Sequence, residues 1–292
     1  MASIYSLSGR RAIITGANRG LGLEIAHHYA AAGAELALGA RDFDLLETEI
    51  AKLKSRYAGL SVIGRRLDVS VPEDVADFAR WASEALGSID VLVNNAGVYG
   101  PMGDVETVSW DAWAQAFAIN VYGSVLMASA VVPGMKQMGR GTIIQISGGG
   151  ATNPLPGISA YASSKAAIVR FAETLALEVK DHGITVNAIA PGALNTRMLE
   201  EVLAAGPERV GQAFYDRSLE QQAKGGTPPS KGAEAAVFLA SDAARGITGR
   251  LISAVWDRYE AWPDHLDALD MSDLYTLRRI TGRDRNQDWG DR

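Results

Sequence analysis

Seven short apolar runs punctuate the first 255 residues of this chain: Arg11–Thr15, Glu35–Gly39, Ser61–Leu67, Val91–Asn94, Thr142–Ile146, Thr185–Ala190 and Leu251–Ala254. Between successive runs lie longer stretches with helical periodicity, roughly 20–33, 43–57, 73–87, 110–137, 159–182 and 232–241. Runs such as Ala12-Ile13-Ile14 and Thr142-Ile143-Ile144-Gln145-Ile146 are apolar without alternation, as strands covered on both faces are. Parallel strands need crossovers, and the intervening helices supply them with the right-handed sense. This predicts one α/β domain over residues 1–255, a doubly wound Rossmann-type parallel sheet of about seven strands with helices on both faces. Residues 197–231 interrupt the rhythm with helix formers and Gly225-Gly226-Thr227-Pro228-Pro229, which predicts a mobile insertion.

Composition narrows the function classes. The 28 basic and 34 acidic side chains leave a net charge of −6, which argues against a nucleic-acid or membrane-surface footprint. With no cysteine, disulfides, thiolate metal sites and cysteine nucleophiles are excluded, and four histidines are too few for a histidine-rich metal site. The start, Met1-Ala2-Ser3-Ile4-Tyr5-Ser6, carries no basic and apolar pattern of a secretory signal, and no uninterrupted apolar run has the ~18 residues of a membrane span. The expected compartment is the cytoplasm.

The first apolar run leads straight into Thr15-Gly16-Ala17-Asn18-Arg19-Gly20-Leu21-Gly22, where a helix opens. A nucleotide pyrophosphate needs close backbone, free N–H groups and the positive end of a helix dipole. Gly16 permits the tight turn, while Gly20 and Gly22 remove side chains that would block the phosphate or the helix–strand contact. Tyr161 and Lys165 stand four apart on a helical stretch, hence on one face. A tyrosine with an ordinary pKa of ~10 is a poor base at neutral pH, and a nearby ammonium together with a positive nicotinamide ring is expected to lower that value.

The TGxxxGxG spacing resembles that of the short-chain dehydrogenase/reductase family, and further motifs follow in order over about residues 8–254. These are Asp68-Val69 after the third strand, Asn94-Asn95-Ala96-Gly97 after the fourth, then Asn120, Ser147, Tyr161 and Lys165, and finally Pro191-Gly192-Ala193-Leu194-Asn195-Thr196. The resemblance implies hydride transfer between a nicotinamide cofactor and a carbonyl or secondary alcohol of a small molecule. It assigns Tyr161 as acid/base, Lys165 to lowering its pKa and holding the ribose, Ser147 to the substrate oxygen and Asn120 to a water of the proton relay. It further implies cofactor contacts from Gly16, Asn18, Arg19, Gly20, Leu21, Gly22, Arg41, Asp68, Val69, Asn95, Ala96, Gly97, Tyr161, Lys165, Pro191, Gly192, Leu194 and Thr196. No metal is expected. On its own, Asn120 reads as a helix-interior asparagine facing solvent.

NAD-dependent enzymes commonly place a carboxylate at the end of the second strand. Here Arg41 stands there, with Arg19 in the glycine turn, and two guanidinium groups suit the 2′-phosphate of NADP(H). Asp42 is the dissenting residue. Loops Val98–Asp104, Gly148–Ser159 and about 197–229 are the expected substrate walls, with Gly148-Gly149-Gly150 leaving room beside the serine and Tyr99, Asn153, Tyr215, Gln221 and Gln222 as candidate polar contacts. A sugar-nucleotide epimerase or dehydratase, and a cofactor-sensing protein without catalysis, are the rival readings. The first disagrees with the glycine spacing, the second with an intact Asn120/Ser147/Tyr161/Lys165 set. The resemblance also implies a homo-oligomer through the helices at 110–137 and 159–182 and through the last strand.

Other polar residues carry less. His27-His28 marks a helix flank, Glu173 and Glu178 suit a solvated helix face, and Met127, Met135 and Met138 suit packing. The departure from the family begins at Trp256, where the chain runs on to Arg292. Its nine acids and six arginines would suit a disordered tail, but Trp256, Trp262, Trp289, Leu266, Leu269, Leu274, Tyr275, Leu277 and Ile280 argue for order. The expectation is a C-terminal extension, 256–292, of which about 256–281 packs over the substrate entrance, its own or a neighbouring subunit's, or on the outer sheet edge, with the last ten residues looser.

Overall fold

The computed structural model describes residues 5–287. The first four residues and the last five, Trp289 among them, lie outside the described part, as does half of the segment expected to be looser. Strands β1 (Arg11–Thr15), β2 (Glu35–Ala40), β3 (Val62–Arg66), β4 (Val91–Asn94), β5 (Gly141–Ile146), β6 (Ile184–Ala190) and β7 (Leu251–Ser253) form one sheet in the order β3-β2-β1-β4-β5-β6-β7. Every pairing is parallel. The order reverses at β1, which pairs Ile14 with Leu38 of β2 on one side and with Val93 of β4 on the other. In an open parallel sheet the crevice at the carboxyl ends of such strands is where ligands bind.

The helices in chain order are α1 (Gly20–Ala31), α2 (Phe43–Arg56), α3 (Pro72–Leu86), α4 (Trp110–Phe117), α5 (Gly123–Met138), α6 (Ser159–Val179), α7 (Arg197–Ala205), α8 (Pro207–Val210), α9 (Gln212–Lys224), α10 (Pro229–Ala240) and α11 (Leu266–Asp270). Successive strand residues face opposite sides, so the apolar runs feed two cores. Ile14, Leu36 and Leu38 pack with α1, α2 and α10, whereas Ile13, Leu92 and Ile143 pack with α3, α5 and α6. Tyr29 of α1 is fully buried and donates its hydroxyl to the Ala236 carbonyl of α10 at 3.0 Å. Met127 and Met135 are fully buried core residues, as their spacing suggested.

α4 and α5 are one continuous helical run, joined by a π-helical turn at Ala118–Tyr122. By length and mean hydropathy, Trp110–Met138 could cross a membrane. Its apolar side instead packs on α3 and the sheet, so the run is a core helix of this layer. The insertion 197–231 is built of α7, α8 and α9, and its far end is pinned by a parallel bridge between Leu194 and Thr227.

The described part of the extension wraps the sheet edge beyond β7. Tyr259, Trp262 and Leu269 join the core cluster that contains Phe238 and Ile247, and aromatic side chains of this size remove about 150–250 Å² each from water. Arg250 is buried, and its guanidinium finds acceptors in the carbonyls of Leu269, Ser272 and Leu274. Leu277 N donates to Glu173 of α6 at 2.6 Å, and Lys180 pairs with Asp270 at 2.8 Å. These contacts place the segment along the edge and the outer side of α6, which corrects the expectation of a cover over its own substrate entrance. Glu173, expected on a solvated face, is buried because the tail closes over it. The outward N–H groups of β7 are satisfied within the chain, Leu251 N by Tyr275 O and Ser253 N by the Asp257 carboxylate, both at 2.8 Å. The edge that the resemblance reserves for a neighbouring subunit is therefore taken by the chain's own tail. Arg283–Arg285 form a short 3₁₀ turn, and Arg278 holds Asp284 through two 2.9 Å contacts.

Candidate active site

At the carboxyl end of β1 the glycine turn is strapped to β4 through Thr15. Its Oγ1 accepts from Asn95 N at 3.0 Å and Ala96 N at 3.1 Å, while Asn95 Nδ2 returns hydrogen bonds to the carbonyls of Thr15 and Gly16. The motif leaves no room for side chains here. A Cβ on Gly22 would lie 2.4 Å from both Asn95 Nδ2 and the Gly16 carbonyl oxygen, so this glycine serves the helix–strand contact. Gly20 is different: its φ is +55°, and a Cβ would project into open space, with Thr196 Cγ2 nearest at 3.8 Å. No side chain caps the start of α1, so its first N–H groups are free for an anion in that space. Asn18 and Leu21 are buried at the base of the turn. These features fit a nucleotide pyrophosphate.

Beside the turn, Arg19 Nη2 contacts Asp42 Oδ2 at 3.0 Å, while Asp42 Oδ1 caps α2 by accepting from Leu45 N at 3.2 Å. Ala40, the last residue of β2, is buried and Arg41 is exposed. Asp68 accepts from the N–H and hydroxyl of Ser70 at 3.0 and 2.6 Å. Burial pushes its carboxyl up, but the Ser70 bonds and the nearby Arg41 and Arg66 outweigh this and hold it below the usual range. Val69 is pressed against α5 where only glycine fits, since a Cβ on Gly123 would lie 2.7 Å from Val69 Cβ. Across the crevice, Gly192 has φ +94°, and a Cβ there would meet Thr227 Oγ1 at 2.7 Å. Pro191 and Gly192 thus lead the chain to Leu194 and to Thr196, which opens α7.

Asn120, Ser147, Tyr161 and Lys165 converge between these two walls. Asn120 is buried, contrary to the solvent-facing reading that its helical position alone suggested. The π-helical turn aims it inward, and it clamps the loop after β4, accepting from Val98 N at 2.8 Å and donating to Val98 O at 2.9 Å. Its Nδ2 also donates to Ser164 Oγ at 2.9 Å, the residue before Lys165. Lys165 Nζ donates to the Ile146 carbonyl at 2.7 Å, and a Cβ on Gly97 would stand 3.5 Å from that Nζ. With no carboxylate beside it, burial lowers the Lys165 pKa to about 8.

Tyr161 leans on Gly148, where a Cβ would lie 2.4 Å from the phenol oxygen. Its ring meets Tyr99 edge to face at 4.6 Å, and Lys165 Nζ sits 5.6 Å from its centroid. Burial, then Tyr99, push the Tyr161 hydroxyl well above its ordinary value. In the protein without cofactor, the ammonium at this distance does not by itself offset removal of the phenol from water; the expected lowering counts on the positive nicotinamide ring as well. Ser147 Oγ is buried without a hydrogen-bond partner, in a chain whose buried polar atoms are otherwise mostly paired. Thr15 and Ser164 were not picked out as site residues. Thr15 opens the TGxxxGxG run without a role of its own there, and the sequence signal for Ser164 is adjacency to Lys165.

Residues 10–206 match the family described as short chain dehydrogenase. D-beta-hydroxybutyrate dehydrogenase of Cupriavidus necator is 34% identical over 263 residues, 88% of this chain and 98% of that protein. Dehydrogenase/reductase SDR family member 4 of Oryctolagus cuniculus is 33% identical over 248 residues, covering 84% and 92% respectively. Among solved structures, NAD⁺-bound xylitol dehydrogenase superposes with a TM-score of 0.78 at 27% identity, over 84% of this chain and 97% of that one. A gluconate 5-dehydrogenase from Burkholderia cenocepacia J2315, in complex with NADP and tartrate, gives 0.75 at 28% identity over 85% and 94%.

Proposed function

Because the chain belongs to the short-chain dehydrogenase family, oxidoreductases acting on CH–OH groups, we propose that it is an NADP(H)-dependent enzyme with Tyr161 as its acid/base. The substrate is a small molecule with a carbonyl or secondary alcohol, the one chemical feature shared by the substrates that the relatives' names give. The observation that carries this reading is the buried, unpartnered hydroxyl of Ser147, the residue before the Gly148 on which the Tyr161 phenol packs. The Ser147 O–H has no protein acceptor, and the Tyr161 phenol packs on the next residue, Gly148; an O–H donor left unpaired in this way can stabilise a developing alkoxide.

The bound nicotinamide supplies or accepts the hydride. In the reductive direction Ser147 Oγ and Tyr161 Oη donate to the substrate oxygen, and the Tyr161 proton then moves onto it. A phenol held above its ordinary pKa keeps that proton until charge develops on the acceptor. The Lys165 ammonium then faces the phenolate left behind, and Asn120 holds the loop and Ser164 that keep this geometry. In the glycine turn, Gly16, Asn18, Gly20, Leu21 and Gly22 would hold the pyrophosphate. Asp68 and Val69 would meet the adenine, and Asn95, Ala96, Gly97, Pro191, Gly192, Leu194 and Thr196 would line the remaining length of the cofactor.

NADP(H) is favoured because β2 ends in Ala40 with no carboxylate, and Arg19 and Arg41 flank the position of a 2′-phosphate. Both oxygens of the dissenting Asp42 are engaged, one as helix cap and one by Arg19. That ion pair is half exposed and worth about 0–1 kcal/mol, so a phosphate dianion can displace it. A homo-oligomer is part of the same proposal, supported by exposed Trp110, Tyr122 and Leu177 on the α4–α5 run and α6. A panel of carbonyls and alcohols read by NADPH absorbance identifies the substrate. With it, Tyr161→Phe keeps its NADPH affinity and loses most turnover; turnover within about tenfold of wild type contradicts the acid/base role. A higher kcat/KM with NAD(H) than with NADP(H) contradicts the cofactor assignment.

A further inference from the structure

The loop that follows β4 presents one aromatic ring to the proposed acid/base, and that ring is fixed from both ends. Asn120 holds Val98, the residue before Tyr99, at both N–H and carbonyl. Gly100, the residue after it, has φ +74° and packs so closely on α4 and α6 that a Cβ would lie 2.6 Å from Ala116 Cβ and 3.5 Å from Ala160 Cβ. Between these anchors the Tyr99 ring stands at 64° to the Tyr161 ring, centroids 4.6 Å apart. Gly148 forms the facing wall, close enough to exclude any side chain there. The phenol of Tyr161 therefore sits in a slot with backbone on one side and an aromatic edge on another.

We propose that Tyr99 is a positioning residue for Tyr161: its ring, not its hydroxyl, fixes the acid/base against Gly148 and keeps water from that flank. The inference rests on the reading of Tyr161 as acid/base. Edge-to-face aromatic pairs have a preferred geometry beyond simple area burial, which favours one ring orientation. A misplacement of about 1 Å at a reacting group costs on the order of 10²-fold in rate, so a small loss of order has a large kinetic effect. The titratable groups facing Tyr161 are Lys165 from α6 and Tyr99 itself. Behind Tyr99 stands Glu201 of α7, which pairs with Arg197 at 3.1 Å.

The test uses the full-length protein saturated with NADP⁺, whose positive nicotinamide ring favours the phenolate and brings its titration down in pH, and follows phenolate absorbance near 295 nm against pH. Each protein is differenced against the same protein carrying Tyr161→Phe, which isolates the Tyr161 signal. Tyr99→Leu admits water beside Tyr161 and brings the Tyr161 phenolate on about one pH unit earlier than in wild type, and Tyr99→Phe restores the wild-type curve. With 2,3-butanedione and NADPH as the carbonyl probe, Tyr99→Leu lowers kcat by about 10–100-fold while the diketone KM stays within about threefold. Should Tyr99→Leu not fold, Tyr99→Met deletes the ring with a side chain that fills the space. Identical titrations of wild type and the ring-deleted variant overturn the inference, as does a Tyr99→Phe variant that behaves like Tyr99→Leu. The two readings fail separately. If Tyr161→Phe retains turnover, the acid/base assignment is wrong. If it is inactive while ring deletion leaves the titration unmoved, only the role of Tyr99 is wrong.

Discussion

The two ends of the sheet treat buried ionisable groups in opposite ways. At the amino ends of the strands, Asp90 has a side chain with no exposure, and it is surrounded by guanidinium groups. Arg11 reaches it at 2.9 Å, Arg140 at 2.8 Å and Arg10 at 4.0 Å. At the carboxyl ends, Lys165 is buried with only a backbone carbonyl for company, and Ser147 Oγ has no partner. A buried charge that serves architecture is paired, because leaving it alone is costly. Lys165 and Ser147 lie where the cofactor and substrate are proposed to bind, and perturbed groups cluster at such sites because chemistry needs them. The lower end is arranged for stability and the upper end gives some of it up.

Substitutions at each end should separate these roles. Lys165→Met is expected to lower turnover by about 10³-fold, within the range for acid–base machinery, while thermal unfolding shows the apoprotein at pH 7 no less stable than wild type. A large loss of stability together with activity would break the contrast. Asp90→Ala acts the other way round. It is expected to destabilise by about 3 kcal/mol in denaturant unfolding, the low end for a broken buried pair because the arginines keep access to water, with kcat within about threefold of wild type. Gly148→Ala forces the Tyr161 phenol aside and should cost on the order of 10² in kcat with little change in stability. A further effect is in pH. Lys165 has a folded pKa of about 8 against an unfolded value near 10.5, so between these the unfolded chain binds the extra proton. The penalty is full below pH 8 and fades as pH rises toward 10.5. The Tm of wild type relative to Lys165→Met should therefore climb across that window.

Most of the sheet was legible because the apolar runs of the inner strands are buried on both faces and need no tertiary information to recognise. The seven predicted strands match the observed ones to within a residue or so at each end. The glycine turn was legible for a similar reason, since positive φ and close backbone contacts leave glycine as the only choice. Asn120 was not legible in its surroundings. A helical position gives no sign of the π turn that rotates it inward. Nor was the pKa of Tyr161, because spacing places Lys165 on the same face but says nothing of how much water reaches the phenol. The extension's packing could be read from Trp262 and Leu269, which are buried, though Trp256, Leu274 and Ile280 stand exposed, but its place could not. That depends on Arg250 and Glu173, whose partners lie up to 104 residues away in the chain.

The central claim is that the upper end holds a buried ammonium without a counter-charge, and one measurement reaches it without any substrate. Nuclear magnetic resonance titration of lysine side chains in the apoprotein, assigned by comparison with Lys165→Met, reads this group directly. A single lysine titrating near pH 8 and missing from the variant is the predicted result. A Lys165 signal that titrates near 10.5, with the other lysines, would contradict it.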